Sequence, residues 1–187
     1  IFSNRTDYSI NSDTLVLFSE SPIYGVKKDI LKTNLHDYED ILDLIGDNYY
    51  FLSDYDSAIK YYNASIICAF QKVDYSLFKM AICLGLTNKY DERILVLNKI
   101  VNLFTESKYF DESMYELGLT YMLLNDYDSS KNVFENINSN YSNSIFINDS
   151  KLKLAISYMK LGDNDLSIFT LKNIISNETV SNSYKRD

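Results

Sequence analysis

The chain has 187 residues, a net charge of −8, 46% hydrophobic residues, 17 Tyr and 10 Phe, but only five Gly and one Pro. That composition excludes a disordered chain and a turn-rich β fold. With 18 Lys and Arg dispersed along an acidic chain, it also excludes a surface built to neutralise nucleic-acid phosphates.

Residues 1–36 form an atypical N-terminal segment. Asn4, Asp7, Asn11 and Asp13 make a polar lead-in, Thr14 to Phe18 is apolar, Ser19 to Pro22 breaks the pattern, and Val26, Ile30, Leu31 and Leu35 recur at near-helical spacing. The segment reads as a degenerate repeat or as an irregular cap over the first true repeat. From residue 37 to 181 the pattern predicts four helix pairs, at about 39–72, 74–107, 111–144 and 148–181, followed by a tail at 182–187.

Their turns set the register. Tyr55, Tyr90 and Tyr127 open the second helices of the first three units and Asn164 that of the fourth, at spacings of 35, 37 and 37 residues. Just before them lie Ser53-Asp54, Asn88-Lys89, Asn125-Asp126 and Gly162-Asp163, mostly residues suited to turns. Just after them come Asp56, Asp91, Asp128 and Asp165, expected to cap the helices they open. The first helices carry Ile45-Gly46 with Tyr49, Met80-Ala81 with Leu84, Leu117-Gly118 with Tyr121, and Leu154-Ala155 with Tyr158. A small residue there lets the neighbouring helix come close and the large ones fill the space beside it. The second helices supply Ala58 and Tyr62, Ile94 and Leu97, Val133 and Phe134, and Ile168 and Leu171. At the close-contact position the chain has Ala58, Arg93, Ser130 and Ser167. A guanidinium cannot be buried unpaired, so Arg93 is expected to splay its helices or to snorkel outward.

The offsets of Leu117-Gly118, Tyr121, Tyr127 and Phe134 are those of a tetratricopeptide repeat, whose period is about 34 residues. With Ile45-Gly46-Asp47-Asn48-Tyr49-Tyr50-Phe51, Asp74-Tyr75-Ser76-Leu77-Phe78-Lys79-Met80-Ala81, and the segments Phe104-Thr105-Glu106-Ser107 and Tyr141-Ser142-Asn143-Ser144, the chain resembles bacterial cell-envelope tetratricopeptide-repeat proteins, in particular those of Bacteroidetes. More distantly it is similar to the BamD-type assembly lipoprotein and the Tol-Pal coordinator. Thr105 and Ser142 stand where that family's loops have proline.

The resemblance implies an all-α, right-handed α-α superhelix of the solenoid type, acting as a non-enzymatic protein–protein interaction scaffold. Its location would be the periplasm or outer-membrane periphery, with the cytoplasm as the alternative. Projected onto this chain, the family's concave groove takes Asp43, Asp47, Tyr50 and Phe51 from the first unit, Phe78, Ile82 and Leu86 from the second, Tyr115, Leu119, Met122 and Leu123 from the third, and Leu152, Ile156 and Met159 from the fourth. Aromatic, Leu and Met side chains there imply an extended or helical apolar segment, or a neighbouring subunit, as the partner. The competing readings are an architectural spacer inside a longer repeat protein, its groove filled by its own chain, and an accessory or substrate-recognition domain of an enzyme carried elsewhere in a larger chain.

Chemistry of other kinds finds no footing. There is no Gly-rich phosphate loop, no nucleophile motif and no metal-ligand spacing around the lone His36, so no catalytic residue, cofactor or metal is expected. Cys68 and Cys83 sit in apolar patterns and read as small buried hydrophobes. No apolar run is long enough to span a membrane. The chain opens on Ile1 and stops at Asp187, which reads as a processed chain or a window from something longer.

Overall fold

The computed structural model describes residues 7–11, 14–18, 35–68 and 73–183, with side chains at 38–68 and 73–176. The chain divides into two compact units, Ile1–Cys83 and Leu84–Asp187. The repeats form an all-α solenoid array of four helix pairs: α1 (Leu35–Phe51) with α2 (Tyr55–Cys68), α3 (Val73–Leu86) with α4 (Tyr90–Leu103), α5 (Phe110–Leu123) with α6 (Tyr127–Asn140), and α7 (Ile147–Leu161) with α8 (Asn164–Ser183). Ahead of them, β1 (Asp7–Asn11) and β2 (Thr14–Phe18) pair antiparallel, Tyr8 opposite Leu17 and Ile10 opposite Leu15; the near-helical spacing at Val26, Ile30 and Leu31 lies outside the described residues.

Every first helix stops in the same way. Ser53, Asn88, Asn125 and Gly162 have φ of 61°, 58°, 60° and 90°, the left-handed region. Ser53 N donates to the Tyr50 carbonyl and Asp54 N to that of Tyr49, and the same two bonds recur at Asn88 and Lys89, Asn125 and Asp126, and Gly162 and Asp163. This Schellman arrangement satisfies carbonyls that a helix end leaves open, and short polar residues or glycine tolerate the backbone it needs. In α2 and α6 the side-chain cap comes from the Asp two residues before the expected one, and the N-cap residue of α4, Lys89, supplies none. Asp54 accepts from Ser57 N at 3.2 Å and Asp126 from Ser129 N at 3.1 Å. Asp56, Asp91, Asp128 and Asp165 sit in the first turn, where they meet the positive end of the helix dipole.

Within a pair, glycine and aromatic ring fit one another. A Cβ on Gly46 would lie 2.7 Å from Tyr62 Cε1, and one on Gly118 would lie 2.6 Å from Phe134 Cζ. Both rings are fully buried, so each occupies the space that only glycine leaves. In the second unit Phe110, Met114, Phe134, Ile137 and Leu154 form the apolar cluster shared by α5, α6 and α7. In the first unit Ala58, Tyr62 and Cys83 play that part. Tyr49, Tyr121 and Tyr158 are half-buried. Tyr49 stacks on Tyr61 with centroids 5.3 Å apart, and Tyr158 donates its hydroxyl to Glu135 at 2.6 Å.

Between pairs the seams carry polar contacts. The Oγ atoms of Ser65 and Ser76 are 3.1 Å apart across α2 and α3, and those of Ser130 and Ser157 are 3.2 Å apart across α6 and α7. Across α4 and α5 lies Arg93, only 7% exposed. Its Nη1 donates to Thr120 Oγ1 at 3.1 Å and its Nη2 to Glu116 Oε2. The expected splaying or snorkelling is thus overturned, because an acid and a hydroxyl on the next helix pair the charge where it is buried. Gly85 leaves the room: a Cβ there would lie 2.9 Å from Arg93 Cζ.

Candidate interaction surfaces

In the second unit, α5 and α7 touch and present corresponding positions side by side. Tyr115, Leu119 and Met122 are half-buried and rest on the apolar cluster below them. Tyr115 stacks on Phe146 with centroids 4.8 Å apart at 12°, and meets Phe134 edge-on at 5.9 Å. Leu123 on α5 and Leu152 and Met159 on α7 are exposed, and Ile156 on α7 is half-buried. Leu86, at the end of α3, is also exposed. The layer is apolar and aromatic, and its floor is fixed by packing.

The corresponding face of the first unit has a different chemistry. Phe51 is 78% exposed and meets the half-buried Tyr50 edge-on at 5.9 Å. Phe78, by contrast, is only 7% exposed and offers no docking surface, and Ile82 is half-buried. Between them Asp47 gathers donors: the hydroxyl of Tyr62 at 2.7 Å, that of Tyr75 at 2.5 Å, and Lys79 Nζ at 3.4 Å. The same Lys79 ammonium stands 4.8 Å from the centroid of the Tyr50 ring, within cation–π reach. The groove implied by the family resemblance includes Asp47 but not Tyr75 and Lys79, whose positions four residues apart on α3 put both on the helix face toward that carboxylate.

Asp43, one turn before Asp47, is buried. Ser76 Oγ donates to its Oδ1 at 2.7 Å, and Oδ2 has no hydrogen-bond partner. Burial pushes its carboxyl above the usual value of 3.8, the Ser76 and Ser65 hydroxyls oppose the shift, and the charges of Glu39 and Asp47 add to it. An acid whose folded-state pKa is raised destabilises the fold once it is ionised. Stability from this group therefore falls as pH rises from 3.8 through the raised value, and is lowest above it. Asp43→Asn is expected to raise the urea midpoint at pH 7, with a gain that shrinks as pH approaches 4. A gain of equal size at both pH values would show that the ionised carboxylate carries no such burden.

Among the described residues no group of three or more His, Cys, Asp or Glu is placed to hold a metal ion, and no helix is long and apolar enough to cross a membrane. Cys68 and Cys83 are not joined in a disulfide, and burial pushes the Cys83 thiol up to about 11. The side chain of His36 lies outside the described residues.

Comparison with known proteins agrees with this geometry. Two tetratricopeptide-repeat family models match, one over residues 112–144 and 149–178 and the other over residues 39–66. No curated protein matches by sequence. Among solved structures, a MamA protein is 23% identical, with a TM-score of 0.64 over 77% of this chain and 75% of its own. BtubC from P. vanneervenii is 16% identical, with a TM-score of 0.66 over 83% and 68%. MamA from Desulfovibrio magneticus RS-1 is 15% identical, with a TM-score of 0.60 over 75% of each chain. At these identities the likeness is one of fold. Residues 39–66, 112–144 and 149–178 thus carry tetratricopeptide repeats, in both units of the chain.

Proposed function

We propose that the chain is a non-enzymatic interaction scaffold that receives an extended or helical apolar protein segment on the first-helix face of its repeats. The observation that carries this reading is the apolar character of α5 and α7, which carry exposed Leu123, Leu152 and Met159 as well as half-buried Tyr115, Leu119 and Met122. Such a surface gives large contact area on a fixed floor, and methionine adapts its packing to the partner. The first unit, by itself, offers the aromatic pair Tyr50 and Phe51 beside a polar hub at Asp47. A place in a bacterial envelope complex, at the periplasm or outer-membrane periphery, belongs to the same proposal and rests on the inter-repeat segments 104–107 and 141–144.

The test uses a labelled amphipathic helical peptide rich in Leu and Phe, with a basic peptide of equal length as control. The apolar peptide is expected to bind, with little change in affinity between ~50 and ~500 mM salt, because screening acts on charges and not on apolar contact. Leu123→Ser with Met159→Ser, both at exposed positions, should weaken binding by at least about tenfold while leaving the helical circular dichroism unchanged. Steeply salt-sensitive binding of the basic peptide alone would move recognition to the acidic surface and sink the proposal.

A further inference from the structure

Phe78, Tyr115 and Leu152 hold, in the later repeats, the place that Asp43 holds on α1, three residues before the small residue of each first helix. The fold therefore accepts a large apolar side chain there, and the first unit buries a carboxylate instead. The groups that act on it are Glu39 and Asp47 on its own helix, Ser65 on α2 and Ser76 on α3, and no cation is among them. Lys79 on α3 pairs with Asp47, one turn further along α1. Ser76 Oγ donates to Asp43 Oδ1 at 2.7 Å and lies 3.1 Å from Ser65 Oγ, while Oδ2 is left without a partner.

A neutral carboxyl can be held in such a place at modest cost, but an anion cannot. Once ionised, Asp43 keeps a charged oxygen out of reach of water and of any donor, with the charges of Glu39 and Asp47 acting against it. Movement of α3 off α1 lets water reach Oδ2 and relieves that cost. The next turn of the same seam would move with it, because Tyr75 and Lys79 of α3 hold Asp47 at 2.5 and 3.4 Å, and Lys79 Nζ stands 4.8 Å from the centroid of the Tyr50 ring.

We propose that the seam between α1 and α3 is a proton-dependent clasp, closed while Asp43 carries its proton and opened locally once the proton is lost, with release of Lys79 from Asp47 and Tyr50. Burial raises the Asp43 carboxyl above 3.8, so the open form gains as pH rises from 3.8 through the raised value and gains no more above it. Hydrogen exchange read by mass spectrometry, on the full chain and on Asp43→Asn, tests this. The ratio of the two rates at each pH cancels the pH dependence of the exchange chemistry itself. Segments of α1 and α3 are expected to exchange at least about threefold faster in the unchanged chain at pH 7, with the ratio falling toward unity near pH 4, while segments of α5 and α6 stay near unity throughout. Ser76→Ala should move the midpoint of this change to higher pH, because the lost hydroxyl favours the ionised carboxyl. An equal rise of the ratio in α5 and α6 would place the cost on the fold as a whole and overturn the clasp. A ratio independent of pH, or a midpoint that Ser76→Ala leaves in place or lowers, would overturn it as well.

Discussion

Replacing Phe134 by alanine is expected to lower the unfolding free energy by about 3–5 kcal/mol, read as a shift in the urea midpoint at constant slope. The ring is fully buried at the centre of the cluster formed with Phe110, Met114, Ile137 and Leu154. Its loss removes the transfer free energy of the side chain and leaves a cavity that three helices border. Tyr121→Ala should cost less, since that side chain is only half-buried. The same contact reverses the usual effect of Gly→Ala in a helix, a gain of about 1 kcal/mol. At Gly118 the new methyl would lie 2.6 Å from Phe134 Cζ, and overpacking of this kind typically costs about 1–3 kcal/mol. A midpoint unchanged by Phe134→Ala would mean that the α5 and α6 pair does not depend on this ring.

Glu116→Ala is expected to destabilise the second unit by about 3 kcal/mol, the low end for removing one partner of a buried ion pair. Arg93 would be left with Thr120 as its charge-accepting neighbour in a site that is 7% exposed. Glu116 is itself about a quarter exposed, so water reaches the gap and holds the loss to that end of the range. Arg93→Met should be close to neutral, because an apolar chain of similar length removes the charge and its desolvation together. Chemical denaturation of the two single variants and the double variant gives the coupling. Equal losses for Glu116→Ala and Arg93→Met would show that the pair contributes net stability, against this expectation.

The helix pairs and their turns could be read from the sequence because both are local. A left-handed residue, an acid at the next helix start and an apolar stripe lie within a few residues of one another. What lies across the array could not be read in the same way. Phe78, Tyr115 and Leu152 hold the same place in their repeats, yet they are buried, half-buried and exposed respectively. Depth is set by neighbours far off in the chain, not by spacing. Arg93 makes the same point, since its partner Glu116 lies in the next repeat. The signal was present all the same: an arginine at a close-contact position requires an acid on the facing helix, and Glu116 lies one turn before Thr120, the other residue that meets it. The antiparallel strands at 7–18 were missed because their alternation, Tyr8 and Ile10 against Leu15 and Leu17, is short and sits among polar breakers.

The Arg93 seam also gives the repeats a fixed order. Each pair recognises only the one that follows it, and Lys153 and Ser157 on α7 correspond to Glu116 and Thr120 on α5. Deleting the α5 and α6 pair would bring α7 against α4 in the same frame. Ser157 would replace the Thr120 hydroxyl, but Lys153 would stand where the carboxylate was, a second cation facing a buried guanidinium. The units of this chain are therefore not interchangeable parts. Unequal recombination or engineered shortening that drops one unit meets a charge mismatch at this joint, and lengthening the array by copying α5 and α6 keeps the joint intact.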